Sequence, residues 1–213
     1  MKIYATILLT TLLLVFFNCS KQKVEPPKVD LHSAVVTGDL EIIRQHIKAG
    51  SDLNVLEPSR ASTPLITAAY IGNSDAATLL IDGGADMNYQ NADGSTALHT
   101  AAVFNRVDVA KALIHAGVDL NIQNNDGSTP LHAAAFLCRE EIVIMLLEGG
   151  ADKNLKNKMG KTALENVELP FDYMKGAYDA IGAGLRPLGL QLDYEYIRAT
   201  RPKIAAMLKS DHE

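Results

Sequence analysis

Cysteine is scarce in this chain, which has two cysteines among its 213 residues. Two thiols cannot form the disulfide framework of a small secreted domain, and a chain of this length buries a core without one. An excess of positive charge is also missing, because 20 Lys and Arg stand against 25 Asp and Glu. Nucleic-acid-binding surfaces need clustered basic residues, so the net charge of −5 argues against nucleic acid as a partner.

Motifs for several kinds of catalysis are missing as well. The chain has no nucleophile-elbow motif, no phosphate-binding glycine loop and no paired CxxC motifs. An enzyme would have to draw on polar residues near the C-terminus, namely Asp172, Tyr173, Asp193 and Glu195. Such a group is more typical of a solvated acidic face, so the sequence predicts no catalysis and no cofactor.

The N-terminus combines a short charged start with an apolar run. Lys2 precedes the run from Ile3 to Phe17, which at fifteen residues is shorter than the about 20 that a membrane span needs. A run of this length is typical of an export signal. It ends at Cys19, ahead of a polar segment with two prolines, and this arrangement resembles the signal of bacterial lipoproteins.

The resemblance to lipoproteins implies a signal peptide over 1–18, lipidation of Cys19 and a lipid-anchored tether over 19–28. It also implies an exported protein, anchored in a membrane and facing the periplasm or the cell surface. Buried acyl chains each contribute about 0.8 kcal/mol per methylene group to membrane affinity. An uncleaved N-terminal anchor is the alternative interpretation.

Three residue types recur along the rest of the chain at a step of 33 residues, with one step of 34. They are the leucines Leu31, Leu65, Leu98, Leu131 and Leu164, the aspartates Asp52, Asp86, Asp119 and Asp152, and the asparagines Asn54, Asn88, Asn121 and Asn154. A shared period of this length indicates a repeat array, in which each unit buries its apolar face against its neighbours.

Each repeat has the same internal order. A Thr-Pro-Leu-His-like start, complete at 128–132, leads into a short Ala-rich helix and then a more aliphatic helix. This pattern resembles the ankyrin repeat over 29–165 and again in the last helix. The resemblance implies a mainly α solenoid of about five helix-turn-helix units with projecting β-hairpin loops. It also implies binding of a protein partner, and we expect the chain to be a monomer.

Local chemistry agrees with this order of elements. A threonine at the start of each first helix can cap it, as with Thr63, Thr96 and Thr129. A glycine at the end of each second helix permits a left-handed cap, as with Gly50, Gly84, Gly117 and Gly150. The loop at 57–62 has one residue more than its counterparts and no Asp-Gly pair, so we expect an irregular tip.

The period places repeat units near 29–58, 59–91, 92–124 and 125–157 and the start of a fifth at 158. This last unit is interrupted, because Pro170 predicts the end of its first helix and its second helix reappears only at 201–211. Residues 166–213 are therefore an elaborated C-terminal cap with an insertion over 168–196. The insertion contains a short helical face and then a loop at 183–189. It has two interpretations, a cap that buries the last repeat or a lid that folds over the concave groove.

Three histidines share one position of the repeat, namely His32, His99 and His132. Stacked helices lie about 8–10 Å apart, whereas zinc ligands lie about 2 Å from the metal. We therefore expect these side chains to hydrogen-bond to loop backbone, as the ankyrin pattern implies. The loops also lack the glycine and the glutamate of a calcium loop, so no metal site is predicted.

Two sets of residues are predicted to contact a protein partner. An exposed apolar strip usually marks a surface that binds another molecule. Such a strip is expected from the groove residues, which lie at the ends of the first helices: Tyr70, Ile71, Val103, Phe104, Phe136 and Leu137. The tip residues lie in the projecting loops: Asn91, Ala92, Asp93, Ser95, Asn124, Asn125, Asp126 and Ser128. An inhibitor or immunity protein that blocks a secreted toxin or enzyme would use the same surface and is the alternative function.

Overall fold

The structure, a computed structural model, describes residues 24–210. In these residues, pairs of short helices repeat along the chain. Cys19 and the predicted signal peptide lie outside the described residues. Residues 24–30 have no regular secondary structure. The helices, in chain order, are α1 Leu31–Thr37, α2 Leu40–Ala49, α3 Pro64–Ile71, α4 Ser74–Asp82, α5 Ala97–Phe104, α6 Val107–His115, α7 Pro130–Phe136, α8 Glu140–Glu148, α9 Ala163–Glu168, α10 Phe171–Leu185, the 3-10 helix Arg186–Leu188 and α11 Tyr194–Lys209.

The first helix of each inner unit begins at a capping threonine, as predicted. The hydroxyl oxygens of Thr63, Thr96 and Thr129 each accept a hydrogen bond from the backbone N–H three residues on. Caps of this kind typically contribute about 1 kcal/mol each. The second helices are followed by glycines at positive φ, for example Gly50 at 71° and Gly84 at 89°. Both local predictions are therefore confirmed.

The helices stack in two layers. First helices α1, α3, α5, α7 and α9 contact one another in succession, and second helices α2, α4, α6 and α8 do the same. Helix α11 packs on α8 and α9 and so completes the fifth unit. The periodic leucines Leu31, Leu65, Leu98 and Leu131 are buried between the layers, whereas Leu164 is half-buried. The predicted helical repeat solenoid is thus confirmed.

The periodic Asp and Asn residues link neighbouring units. The side-chain oxygen of Asn54 accepts a hydrogen bond from the backbone N–H of Asp86 at 2.8 Å, and Asn88 does the same with Asp119 at 3.1 Å. Asn121 and Asp152 repeat the bond at 2.8 Å. One asparagine per unit therefore fixes the register of the next unit.

The projecting loops are turns rather than two-stranded β-hairpins, and no residue between 24 and 210 lies in a strand. Two backbone hydrogen bonds close each regular turn, for example from the Asn91 N–H to the Ser95 oxygen at 3.0 Å and from the Gly94 N–H to the Asn91 oxygen at 2.8 Å. These bonds lie within the turns and no strand flanks them, so the β-hairpin detail of the expected fold is corrected to tight turns.

The fifth unit also departs from expectation. Leu169 is extended and α9 ends before Pro170, as predicted. Helix α10, however, runs to Leu185, so part of the expected loop at 183–189 is helical. Ile181 and Leu185 are half-buried there, and such tertiary contact overrides the low helix propensity of the glycines nearby. None of the helices in the described part of the chain has the length and apolar character that crossing a membrane requires.

Candidate functional site

The six groove residues have three different environments. Tyr70, Val103 and Phe104 line an open cleft, in which the rings of Tyr70 and Phe104 meet edge to face with centroids 5.0 Å apart. Ile71 is half-buried and packs against the core. Leu137 is 2% exposed and offers no surface to a partner, because it turns into the core at the end of α7.

Phe136, the sixth groove residue, is covered by the insertion. The ring of Tyr178 in α10 stacks on it with centroids 4.2 Å apart. The Tyr178 hydroxyl donates a hydrogen bond to the backbone oxygen of Phe136 at 2.8 Å. Tyr178 is completely buried, and this burial raises the pKa of its hydroxyl to about 12.

The other end of the insertion reaches the second repeat. The Tyr70 hydroxyl donates to the backbone oxygen of Leu188 at 2.9 Å, between residues 118 positions apart. Residues 171–188 therefore form a lid across the groove, from the fourth unit to the second. The start of the insertion also packs on the last unit, because Phe171 and Tyr178 contact Arg198 and Arg201 of α11.

A buried arginine holds the base of the lid in position. Arg201 of α11 is 4% exposed and donates one hydrogen bond to the Tyr178 hydroxyl. Its other terminal nitrogen donates to the backbone oxygens of Asn166, at 3.0 Å, and Leu169. A charged side chain is seldom buried unless it is fully paired, and here the unpaired carbonyls at the end of α9 supply the partners. Sequence reasoning missed Arg201, since no motif surrounds it.

The predicted tip residues divide into two groups. The side-chain oxygen of Asn91 accepts hydrogen bonds from the N–H groups of Asp93 and Ser95, and Asn124 repeats this with Asp126 and Ser128. These two asparagines hold the turns, and the two serines are half-buried beside them. The exposed members of the set are Ala92, Asp93, Asn125 and Asp126.

Neighbouring turns are tied together. Backbone N–H groups of Ala92 and Asn125 donate to the oxygens of Arg60 and Asp93, at 3.0 and 3.1 Å. The Asn125 amide also donates to the Ala92 oxygen at 2.9 Å. The tips therefore form one continuous row that is ordered before any partner binds.

The turn at 57–62 is irregular, as predicted, with Ala61 at a positive φ of 51°. The Glu57 carboxylate organises it by accepting hydrogen bonds from the N–H groups of Ser59, Arg60 and Ser62. The Ser59 hydroxyl also donates to it, and together these bonds lower the pKa of Glu57 to about 2. This carboxylate is therefore negatively charged at neutral pH.

A cleft of about 500 Å³ remains between the lid, the groove and the row of tips. Its floor contains Ile66, Tyr70, Val103 and Phe104, and its roof is the end of the lid, with Ile181, Gly184, Leu185 and Leu188. Its mouth is polar and includes Glu57, Arg60, Asp93 and Asp126. Asp93 forms an ion pair with Arg60.

The histidines bind loop backbone, as predicted. Nε2 of His99 lies 2.9 Å from the Ser128 oxygen, and its Nδ1 accepts from the Thr96 N–H at 3.2 Å. His132 repeats this with Lys161 and Thr129. Burial lowers the pKa of His99 to about 4, so the ring is neutral at physiological pH. In residues 24–210 there is no group of three or more His, Cys, Asp or Glu that could hold a metal ion.

Two of the four residues considered for catalysis have structural partners. Asp172 pairs with Arg198 at 3.0 Å, and Asp193 caps α11 by accepting from the Tyr196 N–H. Tyr173 and Glu195 are exposed.

Cys138 is 1% exposed, and burial raises the pKa of its thiol to about 11, so it is not a reactive thiolate at neutral pH.

Two family models match the repeats. A model of three ankyrin repeats matches residues 31–124, and a model of one ankyrin repeat matches residues 126–158. Among curated proteins, the ARF GTPase-activating protein GIT1 of Homo sapiens, Mus musculus and Rattus norvegicus is similar, each 38% identical over 64 residues. The match covers 30% of this chain and 8% of each relative, about the length of two repeats.

Proposed function

The chain belongs to the ankyrin-repeat family, whose repeats indicate a protein–protein interaction module, and we propose that it binds one protein partner at the cleft and the tip row. The observation that carries this proposal is the open cleft whose apolar floor is Tyr70, Val103 and Phe104, beside the exposed Asp93 and Asp126. Aromatic side chains in a partly enclosed site, surrounded by polar groups, are typical of the residues that dominate binding energy.

The rigidity of this surface favours tight binding. The tips are joined by backbone hydrogen bonds, and the groove residues lie at the ends of helices whose other faces are buried. A surface that is ordered in the free protein loses little conformational entropy when the partner binds. The end of the lid lies opposite the groove residues of the second and third units, so the proposed partner enters between the lid and a short part of the solenoid.

The test is capture of the partner by full-length protein with one floor residue truncated. We expect Phe104→Ala to reduce capture at least tenfold, because it removes apolar contact area worth about 25 cal/mol per Å². The matched control is Ile144→Ala, which truncates an exposed apolar residue on the second-helix layer. Equal capture by the two variants, both folded by circular dichroism, would refute a binding site in the cleft.

We also propose that the protein is exported and lipid-anchored at Cys19. The support is the apolar run that ends at Cys19 and the polar segment that follows it. In the described part, residues 24–30 have no regular structure before α1 begins at Leu31, as a tether would require. Partners would then lie in the periplasm or at the cell surface.

Metabolic labelling with a fatty acid tests the anchor. We expect Cys19→Ala to abolish the label and to release the protein from membranes. The control is Cys138→Gly, which removes the other cysteine at a position where φ is 55° and glycine is tolerated. Label retained in the Cys19 variant would contradict the lipoprotein proposal.

A further inference from the structure

The cleft under the lid has a definite chemical character. We propose that it receives a polypeptide segment of the partner in which a large apolar side chain is followed or preceded closely by Lys or Arg. This inference rests on the proposed function and adds the chemistry of the partner. It follows from the shape of the cleft and from the charges at its mouth.

The interior of the cleft is suited to an apolar side chain. Its floor presents the edge-to-face rings of Tyr70 and Phe104, and its roof presents the half-buried Ile181, Leu185 and Leu188. A volume of about 500 Å³ lies within the range of about 300–1,000 Å³ in which proteins hold ligand-sized groups. An aliphatic or aromatic side chain entering between floor and roof is therefore removed from water on both faces.

The mouth of the cleft is suited to a cation. Three carboxylates lie there, on Glu57, Asp93 and Asp126, against the single guanidinium of Arg60. Arg60 is already paired with Asp93, and Glu57 is held ionised by its own turn. Within residues 24–210, the Asp126 carboxylate accepts no hydrogen bond and forms no ion pair. The mouth thus has two uncompensated negative charges, and a half-enclosed cleft strengthens their attraction for a cation.

The form of the site favours a polypeptide. The mouth opens on the tip row, so a ligand whose side chain enters the cleft meets the exposed Ala92, Asp93, Asn125 and Asp126 outside it. An extended segment can satisfy both regions at once, with the apolar side chain inside and the basic side chain against Asp126. Lys156, Lys158 and Lys161 of the next turn are not among the residues that line the cleft, and in the described part of the chain none of them forms an ion pair with Asp126.

Selection from a random-peptide display library on the full-length protein tests the inference. We expect enriched peptides to contain Lys or Arg within two positions of Phe, Leu, Ile or Met. Asp126→Asn should remove this basic preference, because it removes one of the two uncompensated charges. The matched control is Asp108→Asn, which neutralises an exposed aspartate in α6 away from the cleft.

A second pair of variants tests the cleft itself. Gly184 lines the roof, and a Cβ added there meets no atom within 4 Å. Gly184→Leu should therefore fold normally, occupy the cleft and weaken binding of a selected peptide at least tenfold. Gly176 lies in the same helix, also has nothing within 4 Å, and is not part of the lining, so Gly176→Leu should bind like the wild type.

Several results would overturn the inference. They are enrichment without a basic preference, no enrichment at all, or equal binding by the Gly184→Leu and Gly176→Leu proteins. Self-association that Gly184→Leu abolishes would identify a second copy of this chain as the occupant instead. If the intact partner is captured in a Phe104-dependent manner while the Asp126 and Gly184 variants capture it equally, the proposed function stands and this inference alone fails.

Discussion

Removal of the single hydroxyl of Tyr178 tests whether the lid is fixed across the groove. In Tyr178→Phe the ring still stacks on Phe136, but two hydrogen bonds are lost. The bond to the Phe136 carbonyl is worth about 0.5–1.5 kcal/mol, and the bond from the charged Arg201 about 1.5–3 kcal/mol. The Arg201 guanidinium remains buried and loses a partner, so we expect the free energy of unfolding to fall by about 2–4.5 kcal/mol.

The matched control for this experiment lies in the same helix. Tyr173 is 75% exposed, and within residues 24–210 its hydroxyl has no hydrogen-bond partner, so Tyr173→Phe should change stability by less than about 0.5 kcal/mol. At about 2–4 °C per kcal/mol for a chain of this size, Tyr178→Phe should lower the melting temperature by about 4–18 °C.

Guanidinium unfolding, followed by both circular dichroism and tyrosine fluorescence, measures the change. Two probes are needed because a repeat array can unfold in more than one step. Hydrogen exchange of the α10 amides should accelerate in Tyr178→Phe and stay unchanged in Tyr173→Phe. Equal stability and equal exchange in the two variants would refute the assignment of Tyr178 as the anchor of the lid.

Further predictions concern pH and backbone conformation. The pKa of His99 is about 4 in the folded state and about 6.5 in the unfolded state, so the unfolded state binds more protons as the pH falls. Stability should therefore decrease between pH 6.5 and pH 4 in calorimetric scans, and His99→Gln should reduce this slope; an unchanged slope would contradict the assignment to His99. Gly184→Ala should stabilise the protein by about 0.5–1 kcal/mol in denaturant titrations, because it raises helix propensity without a steric clash. Gly94→Ala should destabilise it, since φ is +72° and a Cβ would lie 2.7 Å from the Asn125 backbone nitrogen, and a neutral result would contradict this account of the turn.

The helix boundaries of the repeats could be predicted from particular residues. Thr96 and Thr129 predict helix starts, Gly50 and Gly84 predict helix ends, and the structure confirms all four. These signals are local, because each cap acts within four residues of its own position. The positions of the exposed tips could also be predicted, but not which tip side chains bond to the turn backbone and which are exposed. Whether Asn91 faces a partner or its own backbone depends on the turn geometry.

The groove was predictable as a set of positions but not as a surface. Composition alone gives Phe104, Phe136 and Leu137 the same apolar character, yet they are respectively in the cleft, under the lid and in the core. Their environments differ because a different neighbour covers each side chain. That information lies in the packing of α10 and the turn of the chain after α7.

The sequence by itself determined the modular part of this protein. Units of 33 residues meet only their neighbours, so every contact between them recurs at a fixed separation and leaves a period in the chain. The tertiary structure alone decided the path of the inserted segment. The bonds from Tyr70 to the Leu188 oxygen, 118 residues apart, and from Tyr178 to the Phe136 oxygen, 42 residues apart, obey no period and involve backbone oxygens that any residue possesses.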